Sequence, residues 1–254
     1  FPLEAWEAAK AQANALLERR GARLVHFTTA GFEDLLAISD QRRPHLFSLR
    51  IERPLPLPEV VVGVPGRLAA DGSVLEPLDP TPVASRIAAL REQGYDCASI
   101  ALLHGHRNPA QEELLERLLL EAGFTFVARS SSLCPVQGLL RRSQTTATDA
   151  YLGPVIADYL ASVRRGLGRG RAPLHVMTSA GGLVESRSYR PMDSLLSGPA
   201  GGVVGAATAG RRAGSQRVIA FDMGGTSTDV ARVEGDFEYV FEHRVGPVTL
   251  AAPA

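Results

Sequence analysis

Residues 97–129, CASIALLHGHRNPAQEELLERLLLEAGFTFVAR, decide the fold class. CASIALLH is a mostly apolar run of strand length, which reads as a buried strand. Asn108-Pro109 then starts a helix that Gly123 ends, and FTFVAR is a second strand. Strand, helix and strand over this length form a βαβ unit, and such units sit in parallel sheets. The expectation is therefore an α/β protein.

Working outward, Thr81-Pro82 supplies an N-cap and a first-turn proline for a helix that Gly94 closes. The stretch from about 50 to 80 is rich in proline and valine and carries an Asp71-Gly72 hairpin signal, so it reads as a small β insertion. Residues 2–20 read as a helix capped by Gly21, ARLVHFTT as a strand, and GFEDLLAISD as a short helix. On the C-terminal side, TTATDAYLGPVIADYLASVRRGL has a helical apolar stripe, kinked at Gly153-Pro154, and GLGRGRAP is a loop. LHVMTS is a strand ending in AGGL. Then comes SGPAGGVVGA, with Gly198, Gly201, Gly202 and Gly205 on one face of a helix capped by Ser197. Each interior glycine costs about 1 kcal/mol relative to alanine, so something must approach that face closely, either a ligand or another helix.

Composition narrows the partners. The 254 residues are 45% hydrophobic and 21% charged, with 27 basic and 27 acidic side chains. That balance gives no electrostatic reason to expect nucleic acid or a membrane surface. No apolar run approaches the roughly 18 residues a bilayer requires. Cys97 and Cys134 lack metal-type spacing and are expected to be reduced and buried, in a cytoplasmic protein. The chain starts at Phe1 and stops at VTLAAPA, which reads as an internal piece of something longer.

VIAFDMGGTSTDV, residues 218–230, carries the chemistry. RVIAF is a strand, and STDVARVEGDFEYVFEHRV reads as two more turning at Gly235-Asp236, so Gly224-Gly225 lies in the first turn of a three-strand meander. Paired glycines permit close backbone approach, and the successive N–H groups from Gly224 to Thr228 can form a nest for an anion. Thr226, Ser227 and Thr228 add hydroxyl donors suited to phosphate oxygens. Asp222 beside a phosphate would be repelled, unless a magnesium ion stands between them. Asp229 could hold a second water of that ion or orient the attacking group. A plain hairpin turn explains the glycines equally well from spacing alone.

FDMGGTSTDVA preceded by LLSGPAGGVVGA resembles the A-type subunit of the hydantoinase/5-oxoprolinase family, within the actin-like ATPase superfamily. NALLERRGAR, TTAGFEDLLAI, RRPHLFSLRIERP, ADGSVLEPLD, TTATDAYLGPV and TSAGGL follow the family's order, so the resemblance covers nearly the whole chain; TDAY and EGDFEYVFEHRV tilt it to the 5-oxoprolinase branch.

The resemblance implies incomplete ribonuclease H-like/actin-like ATPase lobes. Residues 1–143 would be the remainder of the N-terminal hydantoinase/oxoprolinase region, and 144–254 the start of the ATPase region with its second phosphate loop. It implies ATP and Mg2+ as cofactors. Asp222 and Asp229 take catalytic roles, with Asp222 on the metal. Gly224, Gly225, Thr226, Ser227, Thr228, Gly198, Gly201 and Gly202 contact the nucleotide.

The implied reaction is ATP-dependent hydrolysis of a cyclic amide, by phosphorylation of its oxygen before ring opening, with a B-type subunit or domain as partner in an oligomer. Alternatives are the ATP-using subunit of an acetone- or acetophenone-type carboxylase, or a non-catalytic actin-like assembly module. The first phosphate loop and the adenosine region of the family have no counterpart in these residues, so the chain by itself is expected not to hydrolyse ATP. Ser179, Gly181 and Gly182 could line the cleft or form a plain turn. Thr145, Thr146 and Asp149 open the long helix as substrate-side residues or as ordinary N-terminal polar groups. His104 and His106 flank a glycine where a strand ends, a usual place for function in open sheets, though a third metal ligand is not in sight.

Overall fold

The computed structural model describes residues 16, 18–40, 47, 49, 54–167, 173–223, 228–246 and 248–254. They fall into a larger unit, residues 15–155 with 244–251, and a smaller one, 156–243 with 252–254.

The larger unit is α/β, as the sequence implies. Its elements in order are β1 (Leu24–Thr29), α1 (Leu35–Ile38), β2 (Val60–Val64), β3 (Arg67–Leu68), β4 (Val74–Glu76), α2 (Pro80–Glu92), β5 (Cys97–Ala101), α3 (Ala110–Glu121), β6 (Phe126–Arg129) and α4 (Ser130–Leu133). Four parallel strands form one sheet in the order β2-β1-β5-β6. One face of it is apolar: Val25, Phe27, Ala98 and Ile100 pack with Val83, Ile87 and Leu90 of α2 and with Leu115 and Leu119 of α3. The opposite face presents Leu24, His26 and Thr28 of β1 beside Cys97, Ser99 and Ala101 of β5. Neither cysteine forms a disulfide, both are buried, and burial pushes the Cys97 thiol up to about 12.

Three expectations change here. The valines expected in a β insertion form β2 instead, paired in parallel with β1, because a run of β-branched residues fits an edge of the main sheet. Only the β3–β4 hairpin, turning at Asp71-Gly72, stays outside it. The cap of α2 is Asp79 rather than Thr81: its carboxylate accepts from Thr81 N–H at 2.9 Å, so Thr81 is the capped residue. Before β1, a left-handed φ of 55° falls on Arg19, not Gly21. Gly21 is small for another reason, since a Cβ there would lie 2.3 Å from the Tyr151 ring. Most of the predicted first helix lies outside the described residues; Leu16 is helical and buried.

α5 (Leu139–Gly166) runs from the larger unit into the smaller and continues through Pro154. The smaller unit then holds β7 (His175–Met177), β8 (Leu183–Glu185), a 3-10 turn (Pro191–Ser194), α6 (Ser197–Arg212), β9 (Arg217–Met223) and β10 (Thr228–Glu234). Much of the expected loop at GLGRGRAP lies outside the described residues. β11 (His243–Val245) and β12 (Val248–Leu250) end the chain. The expected meander is corrected to a two-stranded hairpin: β10 pairs with β9, Gly235 turns the chain at φ 76°, and β11 pairs with β12.

Candidate functional site

In the β9–β10 hairpin, Asp222 stands directly opposite Asp229, and Met223 opposite Thr228. Directly opposed residues project to the same face, and like charges so placed repel. Both acids are exposed. A hard dication between them would remove the repulsion. Magnesium suits a site of one or two carboxylates because it keeps several of its own waters. Among the described residues no group of three or more His, Cys, Asp and Glu could hold a metal. Gly224, Gly225, Thr226 and Ser227, the expected phosphate cup, lie outside the described residues; Thr228 begins β10 and is exposed.

The glycine helix reaches this place through its other end. A Cβ on Gly210 would come within 2.2 Å of Val218 Cγ2, so Gly210 lets α6 lie close on β9. Val218, Ala220 and Asp222 share that strand face by the period of two. The chain reverses between α6 and β9. Gly201 and Gly202 lie nine and eight residues before Gly210, towards the start of α6.

Among the described residues, no atom stands within 4 Å of a Cβ built on Gly198, Gly202 or Gly205, and one on Gly201 would meet Met177 Cγ at an ordinary 3.7 Å. Of the two causes weighed for the stripe, a crossing helix is absent among these residues. The open face lies in the first turns, where the helix dipole favours an anion.

Ser179 fixes that end of α6. Its hydroxyl donates to Asp193 O at 2.7 Å and accepts from Leu196 N–H at 3.0 Å. Arg190 holds Asp193 through two bonds of 2.8 and 3.0 Å. The expected cap Ser197 is corrected to the first helical residue, its hydroxyl donating to Ser194 O. Gly181, at φ 76°, turns β7 into β8 and lies 3.0 Å, by its absent Cβ, from Val204 of α6, while Gly182 O accepts from Thr178 N–H. Ser179, Gly181 and Gly182 thus brace the glycine helix. A separate hollow of about 390 Å³, lined by Arg211, Gln216 and Asp236 among others, opens at the far end of β9 from Asp222.

Thr145, Thr146 and Asp149 do not open a helix, because α5 begins at Leu139; they lie in its interior turns and are buried. Thr145 Oγ1 accepts from Ala251 N–H at 2.9 Å. Just before them lies a buried ion pair that sequence reasoning missed. Glu112, on α3, accepts from Leu102 N–H (2.8 Å), Ser130 Oγ (2.7 Å), Ser131 N–H (2.8 Å) and Arg142 Nη1 (3.3 Å). Arg142 also donates to Leu102 O at 2.7 Å and Ser130 Oγ at 2.6 Å. Both residues sit beside other charged ones, in QEELLERLLLE and LLRRSQ, so no sequence signal singles them out. His104 adopts φ 59°, and burial, then Arg142 and Arg107, lower the His106 pKa.

Comparison with known proteins gives the family and the fold. The family model described as hydantoinase/oxoprolinase N-terminal region matches residues 9–123, and the one described as hydantoinase/oxoprolinase matches 142–254. The chain belongs to the hydantoinase/oxoprolinase family. It is similar to 5-oxoprolinase PfmaA of Pestalotiopsis fici, 35% identical over 94% of this chain and 21% of that protein. The fold superposes on ATP-dependent caprolactamase from Pseudomonas jessenii with a TM-score of 0.82 and 26% identity, over 96% of this chain and 37% of the other. It superposes on nucleotide-free acetone carboxylase with a TM-score of 0.83 and 24% identity, with the same coverage. The chain spans about a fifth of the length of the 5-oxoprolinase relatives it matches.

Proposed function

We propose that this chain carries the second phosphate site of an ATP-dependent cyclic-amide hydrolase of the 5-oxoprolinase type. The supporting observation is the rung formed by Asp222 and Asp229 on a hairpin whose strand β9 packs against the glycine helix α6. The acids provide a paired negative edge for a hydrated magnesium ion. The glycine turn gives an oxyanion close access to backbone and to the positive end of a helix. Gly224 to Thr228, in the sequence between the two acids, would supply further N–H and hydroxyl donors. When bound, ATP supplies the phosphoryl group that turns a poorly electrophilic amide oxygen into a leaving group. The chain's own part is positioning and charge neutralisation.

Relatives named 5-oxoprolinase and a fold neighbour named caprolactamase support the amide as substrate. The acetone carboxylase likeness, at 24% identity, speaks for the fold alone. In the full-length protein, 5-oxoproline should stimulate magnesium-dependent ADP release, and Asp222→Asn should lower that turnover at least 100-fold. Stimulation by a ketone with bicarbonate instead, or an unchanged Asp222→Asn rate, would overturn the reading.

A further inference from the structure

The hollow at the far end of β9 from Asp222 has no part in the phosphate chemistry. Two glycine turns form part of its wall: Gly214, at φ 80°, follows α6, and Gly235, at φ 76°, follows β10. Backbone bonds fix both turns. Ser215 N–H donates to Gly210 O at 2.9 Å, and Gly235 N–H donates to Gln216 O at 3.2 Å. Ser215 Oγ also donates to Arg217 O at 2.8 Å. Walls held in this way are in place before a ligand arrives, which lowers the ordering cost of binding.

The lining combines an apolar part with one pair of opposite charges. Ala207 of α6 and Val233 of β10 are buried, and Val218 of β9 is half-buried. Arg211, in the last turn of α6, and Asp236, just past β10, are the charged members of the lining, and both are exposed. Among the described residues neither side chain has an ion pair or a hydrogen bond. The neighbouring charges are already matched, because Arg217 pairs with Glu234 at 3.7 Å and Arg232 pairs with the same carboxylate. At about 390 Å³ the hollow falls within the range of roughly 300–1,000 Å³ usual for small-molecule sites.

The chemistry of these groups selects the ligand. A guanidinium fork matches a carboxylate. A carboxylate that only accepts matches an ammonium group, and the negative pole of α6, at the same end, favours that charge too. A ligand of one sign alone would satisfy one of the two side chains and be repelled by the other. A small zwitterion satisfies both, and the valines give its remaining carbons an apolar surface. We propose that this hollow binds a free α-amino acid with an aliphatic side chain. Arg211 holds its carboxylate, Asp236 its ammonium group, and Ala207, Val218 and Val233 its side chain. The assignment does not depend on the phosphate site.

The test titrates L-leucine into the full-length protein, without nucleotide or magnesium, and follows binding by calorimetry. Saturable binding at one site per chain is expected. Arg211→Met and Asp236→Asn, both at exposed positions, should each weaken it at least tenfold while leaving the thermal melt unchanged. Isocaproate, which is leucine without its amine, and isopentylamine, which is leucine without its carboxylate, should each bind at least tenfold more weakly. L-glutamate should also bind at least tenfold more weakly, because its second carboxylate meets no second cation in the lining. Absence of saturable binding, undiminished binding in either variant, or binding of isocaproate, isopentylamine or L-glutamate as tight as that of L-leucine would overturn the assignment.

Discussion

His26 is a histidine placed where its charged form cannot follow. Complete burial lowers its pKa to about 3, against an ordinary 6.5. Above pH 6.5 the ring is neutral in both folded and unfolded chains and affects stability equally. Between 6.5 and 3 the unfolded chain takes up a proton that the folded one refuses, so stability falls as pH drops, at up to about 1.4 kcal/mol per pH unit. Unfolding midpoints in urea should therefore decline from pH 7 to pH 5, and His26→Gln should flatten that decline; an equal decline in both proteins would assign it to other groups. At this scale the sequence was informative about Asp222, because an acid ending a strand beside Gly-Gly is conspicuous. It was silent about His26, since a histidine inside an apolar run carries no sign of which sheet face it occupies or what covers it.

α6 shows how one helix can carry glycines for two different reasons. At Gly210 a methyl group would strike Val218, so the glycine serves packing. At Gly202 nothing described stands within 4 Å, so Gly202→Ala should fold and gain about 1 kcal/mol from helix propensity. If the open turn receives a nucleotide, the same substitution should reduce ATP affinity at least tenfold, measurable by calorimetry beside a thermal melt. Greater stability with unchanged affinity would show that the turn is not used.

The elements themselves were largely legible: β1, β5, β6, α3 and the glycine helix lie where periodicity and turn residues put them. α5 was placed to begin too late. Gly138, at φ 104°, directly precedes the helix, and with Arg141, Arg142 and Ser143 in its first turns LLRRSQ carries no apolar stripe. Only the buried partner on α3 explains why Arg142 points inward. Register was likewise out of reach, so the acids could be proposed as neighbours but not as opposed members of one rung.

At the scale of the whole molecule, Glu112 and Arg142 join α3, β5, α4 and α5 at one buried point. Removing one member of such a pair strands the other in a poor solvent, so Arg142→Met should cost about 3–5 kcal/mol in urea unfolding. Glu112→Gln combined with it should recover a large part. A loss below 1 kcal/mol would mean that water reaches Glu112. The acid rung of the hairpin has the opposite economy. Uncharged partners or a bridging cation would strengthen it, so on the proposed reading cation affinity and hairpin closure are one coupled equilibrium. Each must then favour the other by the same factor, and a substitution anywhere along β9 or β10 that frays the ribbon will register as weaker magnesium binding, however far it lies from an oxygen ligand.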